Sequence, residues 1–529
     1  RCYWATLIPL LCSTVAVVWQ LGLLRTMGFG LDPYSMLVPF LVFAIGISHG
    51  VQIINNVALR FFFGVGALWS ARRAFRALYI AGFIALISDG IGFLTLVVIE
   101  IPVIQELALT ASIGVAVLIF TNLLLMPVLL SYTGLTNYCM NYVKRRQENP
   151  SRLWPFIARF AKPPFAPLTI IIAIALFAVG FHGSKDLRIG DLDPGAPELR
   201  PNSRYNLDNA YLTGNYSTST DVFVVMVETP PQACGDYETV AAIDRFQEVM
   251  RNTPGVQSVI SLVNISKRVT MAMNEGNPKW HTLSSNRYIL NNSLALVPSN
   301  LINTDCSMVP VLIFLNDHKA ETLRAVVEDI EAFADQYNSE EIQFLLAAGN
   351  SGIESATNIV ISKAQYQMLA LVYGVVSFLV FLTFRSWRPV LCIVLPLALT
   401  SVLGQALMAY PGIGVKVATL PVIALGVGIG VDYGIYIYSK MDTYLKRGTE
   451  VYESYVKTLQ TTGMAVAFTG ITLAIGVGTW IFSPIKFQAD MGLMLTFMFL
   501  WNMLGALTLL PALAHYLVKA TPVTALGTT

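Results

Sequence analysis

The stretch GVGIGVDYGIYIY, residues 426–438, places an aspartate in the middle of an apolar segment. The apolar run around it extends from about Val417 to Tyr438, which is long enough for a helix to cross a bilayer. An ionised carboxylate at the centre of a bilayer costs at least a few kcal/mol, and ionisable side chains at that depth are usually functional. Asp432 is therefore the first candidate for a functional residue.

The composition of the whole chain is typical of a membrane protein. Of its 529 residues, 55% are hydrophobic and 12% are charged, whereas soluble domains carry about 25% charged residues. The net charge of +2 and the lack of a basic cluster with interleaved aromatic residues argue against a nucleic-acid partner. The sequence contains no phosphate loop and no metal-ligand spacing, so we expect neither an enzyme nor a cofactor.

Ten apolar segments are long enough to span a membrane as helices. Lys and Arg are concentrated in alternate loops, and the positive-inside rule places those loops in the cytoplasm. A long hydrophilic insertion between the fifth and sixth segments then lies outside. The predicted spans are residues 5–24, 36–57, 77–98, 105–133, 165–183, 364–384, 389–410, 417–439, 459–482 and 489–518.

Two parts of the chain resemble each other, which predicts a parallel repeat. RCYWATLIPL (1–10) aligns with RPVLCIVLPL (388–397), GISHGVQII (46–54) with GVDYGIYIY (430–438), and LLLMPVLLSY (123–132) with ALTLLPALAHY (506–516). The second copy follows a span, an outer domain and another span, and the first copy has no such preface. The simplest account is that an equivalent preface precedes Arg1 in the intact gene product.

These patterns predict six regions. They are a first-repeat bundle of four spans (1–135), a cytoplasmic linker (136–164), one span (165–183), an outer α/β domain (184–362), a second-repeat bundle of five spans (363–519) and a cytoplasmic tail (520–529).

The outer domain shows alternating strand and helix patterns. Two strand–helix–strand units are predicted, which are the components of a βαβ, ferredoxin-like fold. The predicted strands are 220–228, 256–263, 307–317 and 342–349, and the predicted helices are 237–252 and 321–337.

Two further features of the outer domain are candidates for function or stability. Between the two units, residues 264–306 mix polar residues with Met271, Met273 and Trp280. This stretch forms a lid, the wall of an apolar pocket, or an ordinary long loop packed on the sheet. Cys234 and Cys306 both lie in this domain, where an oxidising environment allows a disulfide.

Glycines at a spacing of four residues mark one face of the helix that carries Asp432. Such a stripe lets a neighbouring backbone approach closely. Asp432 lies about 200° around the helix from the stripe, so it points to the opposite side. The repeat-related helix carries the same spacing, and the predicted packing glycines are Gly426, Gly430, Gly434, Gly46 and Gly50.

The repeat predicts partners for the buried carboxylate. Ser48 aligns with Asp432, and His49 aligns with Tyr433. If the two helices meet at a pseudo-two-fold axis, Asp432 pairs with His49 and Tyr433 pairs with Ser48. Asp89 lies at a similar depth on another span, because a helix rises about 1.5 Å per residue. We therefore predict a proton relay of two carboxylates and an imidazole, aided by the two hydroxyls.

The motif GVGIGVDYG, the segment LRIGDLDPGAPELRPNSRYN (187–206) and the segment FRSWRPVLCIVLPL (384–397) resemble the resistance–nodulation–division (RND) superfamily. The resemblance is greatest to its lipid-exporting branch, the mycobacterial large membrane proteins (MMPL) and the hopanoid transporters. It implies that Asp432 carries protons and that a periplasmic porter domain receives hydrophobic cargo. Relatives often have an aspartate where this chain has Ser48, and drug-efflux members have an intramembrane lysine that is absent here.

The resemblance implies a multi-pass protein of the bacterial inner membrane that exports lipids or other hydrophobic molecules by proton antiport. A sterol- or lipid-sensing protein and an accessory protein of secretion are alternatives, since both occur among proteins with similar membrane domains. A periplasmic or outer-membrane partner and assembly into a homo-oligomer remain open.

Overall fold

The computed structural model describes residues 3–62, 66–136, 139 and 153–518, and these form two compact units. The helical unit contains the described residues up to Leu187, Lys363–Ser483 and the described residues from Phe487 onward. The sheet unit contains Arg188–Ser362 and Pro484–Lys486. The predicted tail, 520–529, and most of the predicted linker, 136–164, lie outside the described residues.

The first part of the helical unit contains seven α-helices among the described residues. A π-helical turn, Ile119–Leu125, joins the fourth to the fifth. The helices are α1 (Tyr3–Thr26), α2 (Val38–Phe62), α3 (Ala67–Leu94), α4 (Pro102–Leu118), α5 (Met126–Thr133), α6 (Leu153–Ala158) and α7 (Phe165–Gly183).

The sheet unit contains four strands and five helices of its own. They are α8 (Arg204–Asn215), β1 (Val222–Glu228), α9 (Tyr237–Asn252), β2 (Val256–Ile260), α10 (Leu262–Ala272), α11 (Arg287–Leu294), β3 (Met308–Leu315), α12 (Ala320–Tyr337) and β4 (Gln343–Ala348).

The four strands form one antiparallel sheet in the order β2-β3-β1-β4. Alternate residues of β3 are buried, as expected for a strand with one face against a core. Helices α9 and α12 contribute to that core, where the Phe246 and Phe333 rings lie 5.1 Å apart between centroids. Cys234 and Cys306 form a disulfide beside it, with their Cα atoms 5.3 Å apart.

The segment after β2 differs from the sequence prediction. The predicted strand 256–263 ends at Ile260, because Ser261 begins helix α10. The Ser261 side chain accepts a hydrogen bond from the Val263 amide, and the Asn264 side chain accepts one from the Ser261 amide. This reciprocal capping stabilises a helix start. The segment 264–306 therefore contains most of α10 and all of α11, rather than only a loop.

The remaining helices belong wholly or largely to the helical unit. Helix α13 begins at Asn350 rather than at the predicted residue 364, because polar turns extend the apolar span at its start. The helices are α13 (Asn350–Phe384), α14 (Trp387–Ala409), α15 (Leu420–Leu445), α16 (Val451–Thr458), α17 (Met464–Gly478), α18 (Lys486–Leu507) and α19 (Leu509–Leu517).

Among the described residues, ten helical segments are long and apolar enough to cross a membrane. This confirms the predicted polytopic helical membrane protein. The helix that carries Asp432, α15, is buried along its whole apolar window, whereas only 11% of the window in α7 is buried. Helix α15 therefore lies at the centre of the helical unit, and its side chains face protein on every side.

Candidate functional site

Helices α2, α3 and α15 bring three ionisable side chains together inside the helical unit. A ring nitrogen of His49 and carboxylate oxygens of Asp89 and Asp432 all lie within 4.8 Å of one another. The three residues are only 1%, 0% and 4% exposed, respectively. His49 Nε2 lies 3.2 Å from Asp432 Oδ2, an ion-pair distance. The structure thus unites all three predicted ionisable residues.

The second nitrogen of the imidazole contacts a phenol. His49 Nδ1 and the Tyr436 hydroxyl are 2.7 Å apart and share a hydrogen bond. Tyr436 follows Asp432 by four residues, about one helical turn, so both side chains reach the same imidazole. The imidazole is therefore hydrogen-bonded at Nδ1 and lies at ion-pair distance from Asp432 at Nε2, in both cases to groups from α15.

The predicted pairing of Tyr433 with Ser48 is wrong. Within the described part of the chain, the buried Tyr433 hydroxyl has no hydrogen-bond partner. Tyr433 is one residue after Asp432 and therefore about 100° around the helix, away from the face that meets His49. Tyr436 was identifiable from the sequence by its spacing from Asp432, but the repeat alignment favoured Tyr433.

Asp89 faces α15 across a close helix contact. A side chain at Gly428 would have its Cβ 3.9 Å from Asp89 Oδ1, and one at Gly92 would have its Cβ 3.7 Å from the Gly428 Cα. These two glycines let α3 and α15 approach, although the sequence reasoning did not select them. Neither oxygen of Asp89 has a hydrogen-bond partner among the described residues.

The charges of the two carboxylates make this cluster sensitive to protons. Two ionised carboxylates within 4.8 Å of each other repel by at least about 3.5 kcal/mol at an effective dielectric constant of about 20. A proton on either carboxylate, or a positive charge on His49, relieves that repulsion. A change in the charge of Asp89, His49 or Asp432 would therefore change the forces between the three helices.

The predicted glycine stripe packs on the side of α15 away from the cluster. A Cβ at Gly430 would overlap Asn502 of α18, and one at Gly434 would lie 2.8 Å from Ile393 of α14. Asn502 Nδ2 also donates a hydrogen bond of 2.7 Å to the Gly426 carbonyl. The stripe fixes α15 against its neighbours, while the opposite face carries the ionisable groups.

The matching glycines of α2 also lie in close helix contacts. A Cβ at Gly46 would be 2.6 Å from Ser13 Oγ of α1, and one at Gly50 would be 3.0 Å from the Pro9 Cβ of the same helix. The two repeat-related helices are therefore both packed through glycines and both carry members of the cluster.

The predicted pocket residues of the sheet unit lie at its surface. Met271 is half-buried at the end of α10, and Met273 and Trp280 are exposed. An apolar cavity of about 240 Å³ lies instead in the helical unit, between α2 and α17. It is lined by Phe40, Phe43, Ala44, Ile47, Thr472, Leu473, Gly476, Val477 and Trp480.

Fold and site together define a polytopic membrane protein whose central helices share a buried ionisable cluster. Residues 64–167 and 206–526 match the sequence model of the MMPL family. The chain belongs to the MMPL family, within the RND class, as the resemblance of its motifs implies.

Individual relatives match different lengths of the chain. A protein of Methanocaldococcus jannaschii named MJ1562 is 23% identical over 372 residues, which cover 68% of this chain and 92% of that protein. The sulfolipid-1 exporter MmpL8 of Mycobacterium tuberculosis is 31% identical over 127 residues, 23% of this chain and 12% of MmpL8. Membrane protein YdfJ of Bacillus subtilis is 32% identical over 88 residues, 17% of this chain and 12% of YdfJ. These similarities indicate a transporter rather than an enzyme.

The two tyrosines of α15 provide a matched test of the site. If the cluster transfers protons, Tyr436→Phe should lower the proton flux about tenfold, because a hydrogen bond to an ionisable group contributes about 1.5 kcal/mol. Tyr433→Phe should leave activity near the wild-type level, since the hydroxyl it removes is not hydrogen-bonded to any described residue. Proton flux into proteoliposomes measures both. Equal losses in the two variants would exclude a special role for Tyr436.

Proposed function

We propose that this protein is a proton-driven exporter of lipids or other hydrophobic molecules in a bacterial inner membrane, with cargo moving toward the periplasm or outer membrane. The observation that carries the proposal is the buried contact between His49 and Asp432. It joins the two repeat-related helices α2 and α15 through groups that bind protons. Membership of the MMPL family and the similarity to a named lipid exporter support the same function.

Proton transfer would act through the attraction between α2 and α15. When Asp432 is ionised and His49 is protonated, the two helices attract each other through an ion pair. A proton on Asp432 removes that attraction and also lowers the repulsion from Asp89. One proton crossing about 150 mV releases about 3.5 kcal/mol, enough to shift the balance between two packed arrangements.

The topology of the sheet unit supports a role as a porter domain. Its elements β1, α9, β2, β3, α12 and β4 follow one another in the βαββαβ succession of ferredoxin-like domains. The spatial order β2-β3-β1-β4 and the antiparallel pairing agree with that assignment. We infer that this unit lies on the periplasmic side and handles hydrophobic cargo there.

The cavity between α2 and α17 supports a hydrophobic cargo. Its walls are almost entirely apolar, and Phe40 and Trp480 meet across it with ring centroids 6.1 Å apart. Its volume of about 240 Å³ would accept part of an acyl chain rather than a whole lipid. Ile47, on the cavity wall, lies two residues before His49 in α2, so movement of that helix would change the cavity.

The proposal is tested with purified protein in liposomes that enclose a pH-sensitive dye. An imposed proton gradient should drive lipid from the protein-containing bilayer to an acceptor, and the dye should register proton movement that depends on the protein. A transport rate that does not respond to the gradient would contradict proton coupling. Proton flux without lipid transfer would contradict a lipid cargo.

Filling the cavity should separate cargo transport from proton binding. Gly476 lines the cavity, and a Cβ added there meets no atom within 4 Å, so the backbone has room for the larger side chain of Gly476→Phe. We expect lipid transfer to fall about fivefold or more, the effect of about 1 kcal/mol of lost binding. Gly374→Phe is the control, because Gly374 also has no atom within 4 Å of an added Cβ but does not line the cavity. Equal transfer by the two variants would remove the cavity from the cargo route.

A further inference from the structure

The sheet unit contains a second cluster of ionisable groups, far from Asp432 in sequence. A ring nitrogen of His318 and carboxylate oxygens of Asp191 and Glu354 lie within 4.8 Å of one another. Asp221 contacts the same histidine, with Oδ1 2.9 Å from His318 Nδ1. The imidazole is buried, at 4% exposure. Three carboxyl groups from three separate parts of the chain therefore converge around one imidazole.

The fold holds each member of this cluster in place. His318 lies in the turn between β3 and α12, Asp221 precedes β1, and Glu354 lies in the second turn of α13. Asp191 is fixed by its carbonyl, which accepts a hydrogen bond of 3.1 Å from the Ala320 amide at the start of α12. The cluster is thus built by the sheet and its helices rather than by a mobile surface.

The segment of Asp191 can reach the cluster because a glycine precedes it. Gly190 has a φ of +95°, and a Cβ there would lie 2.7 Å from Asn358 Nδ2 of α13. Only glycine adopts this backbone conformation readily and leaves space for that contact. The close approach brings the Asp191 carboxylate to the first turns of α13, where Glu354 lies.

The cluster gathers three carboxyl groups around one imidazole. Carboxylate oxygens and an imidazole nitrogen are common ligand atoms of divalent transition metals. The buried Oε1 atom of Glu354 has no hydrogen-bond partner among the described residues. A site with these properties favours a bound cation.

We propose that His318, Asp191 and Glu354 bind a divalent transition-metal ion, with Zn²⁺ as the best fit. An imidazole nitrogen with two carboxylates is a ligand set suited to Zn²⁺, and the imidazole disfavours Mg²⁺ and Ca²⁺. Asp221 orients the histidine through Nδ1, as carboxylates next to metal-bound histidines do.

The ion would link two segments of the sheet unit, the one that begins it and the one that ends in α13. Asp191 follows Leu187, where the chain leaves the helical unit, and Glu354 precedes Lys363, where it returns. A metal bound to both residues would hold these two segments together within the sheet unit. Its role would be to stiffen the ends of the segments that lead to the neighbouring spans.

The test uses full-length protein in detergent, treated with a chelator and then dialysed against Zn²⁺ at pH 8. We expect one equivalent of Zn²⁺ to bind to the wild type. His318→Ala should lower the affinity for Zn²⁺ by at least about 100-fold, since outer-shell partners alone change metal affinity 10- to 100-fold. His281→Ala is the matched control, because His281 is an exposed histidine of the same unit. Glu354→Gln should weaken binding, whereas Glu341→Gln, at an exposed position, should not. Zn²⁺ that binds equally to wild type and His318→Ala, or does not bind, overturns the proposal.

A milder variant and a measurement of hydrogen exchange distinguish loss of the metal site from loss of the fold. Asp221→Asn keeps all three ligands and should weaken Zn²⁺ binding about 10- to 100-fold. Hydrogen exchange should slow on Zn²⁺ addition in residues 188–195 and 350–358 of wild type but not of His318→Ala. Any ion held by the His49 cluster would persist in these variants and would not slow exchange there. Unchanged Asp221→Asn affinity, or unchanged exchange in wild type, contradicts the site.

Discussion

Replacing Asp432 with asparagine is expected to abolish proton-driven transport while the protein still folds. Asparagine has nearly the same shape and can hydrogen-bond to His49. Its amide, unlike a carboxyl group, does not take up or release a proton near neutral pH. We expect the transport rate to fall by at least about 100-fold, the lower end of what a proton-transferring group contributes. The measurement is lipid transfer and dye-detected proton flux in proteoliposomes under an imposed gradient.

A second aspartate on the same helix provides the control. Asp442 lies further along α15 and forms an ion pair of 2.6 Å with Lys446. The side chain of Lys446 is largely exposed. Surface pairs of this kind contribute little, so Asp442→Asn should retain transport. Retained transport in Asp432→Asn would contradict the relay. Lipid binding without any gradient-driven transport in the wild type would favour the sensor alternative instead.

His49 should behave as the partner of Asp432. We expect His49→Ala to reduce transport or shift its pH dependence, because it removes the imidazole between Asp432 and Tyr436. The double variant with Asp432→Asn should be no worse than Asp432→Asn alone, since residues in one network have non-additive effects. Additive losses would place the two residues in separate steps.

The sequence was informative where a repeat or a period fixed the position of a residue. The alignment of GISHGVQII with GVDYGIYIY places His49 at the level of Asp432, and depth along the helices selects Asp89. The predicted pairing of Tyr433 with Ser48 was wrong because a repeat alignment gives the depth of a residue in the membrane. It does not give the rotation of the helix about its own axis. Rotation is decided by packing, and the four-residue spacing of Asp432 and Tyr436 decided it here.

The cluster around His318 could not be predicted in this way. Asp191, Asp221, His318 and Glu354 are separated by long stretches of chain and match no ligand spacing. They meet because the sheet order brings the start of β1 beside the end of β3, and because a positive φ at Gly190 turns the chain toward α13. Such tertiary convergence leaves no periodic signal in the sequence.

The second large effect is expected at the glycine stripe of α15. We expect Gly430→Leu to destabilise the protein strongly, because its Cβ would overlap the Asn502 side chain and approach Leu397 Cδ2 to 2.9 Å. Overpacking of a core typically costs about 1–3 kcal/mol. Displacement of Asn502 would also weaken its hydrogen bond to the Gly426 carbonyl, a further contribution of about 1 kcal/mol. The thermal midpoint of the detergent-solubilised protein measures the loss.

Gly374→Leu separates this packing effect from the general effect of a larger residue in a span. Gly374 lies in the apolar part of α13, and an added Cβ there meets no atom within 4 Å. Its thermal midpoint should remain close to that of the wild type, or rise slightly, because leucine favours a helix more than glycine does. If Gly430→Leu melts at the same temperature as Gly374→Leu, α15 does not need its glycines for close packing. If only Gly430→Leu is destabilised, α15 needs its glycines for close packing on the face opposite the contact between Asp432 and His49.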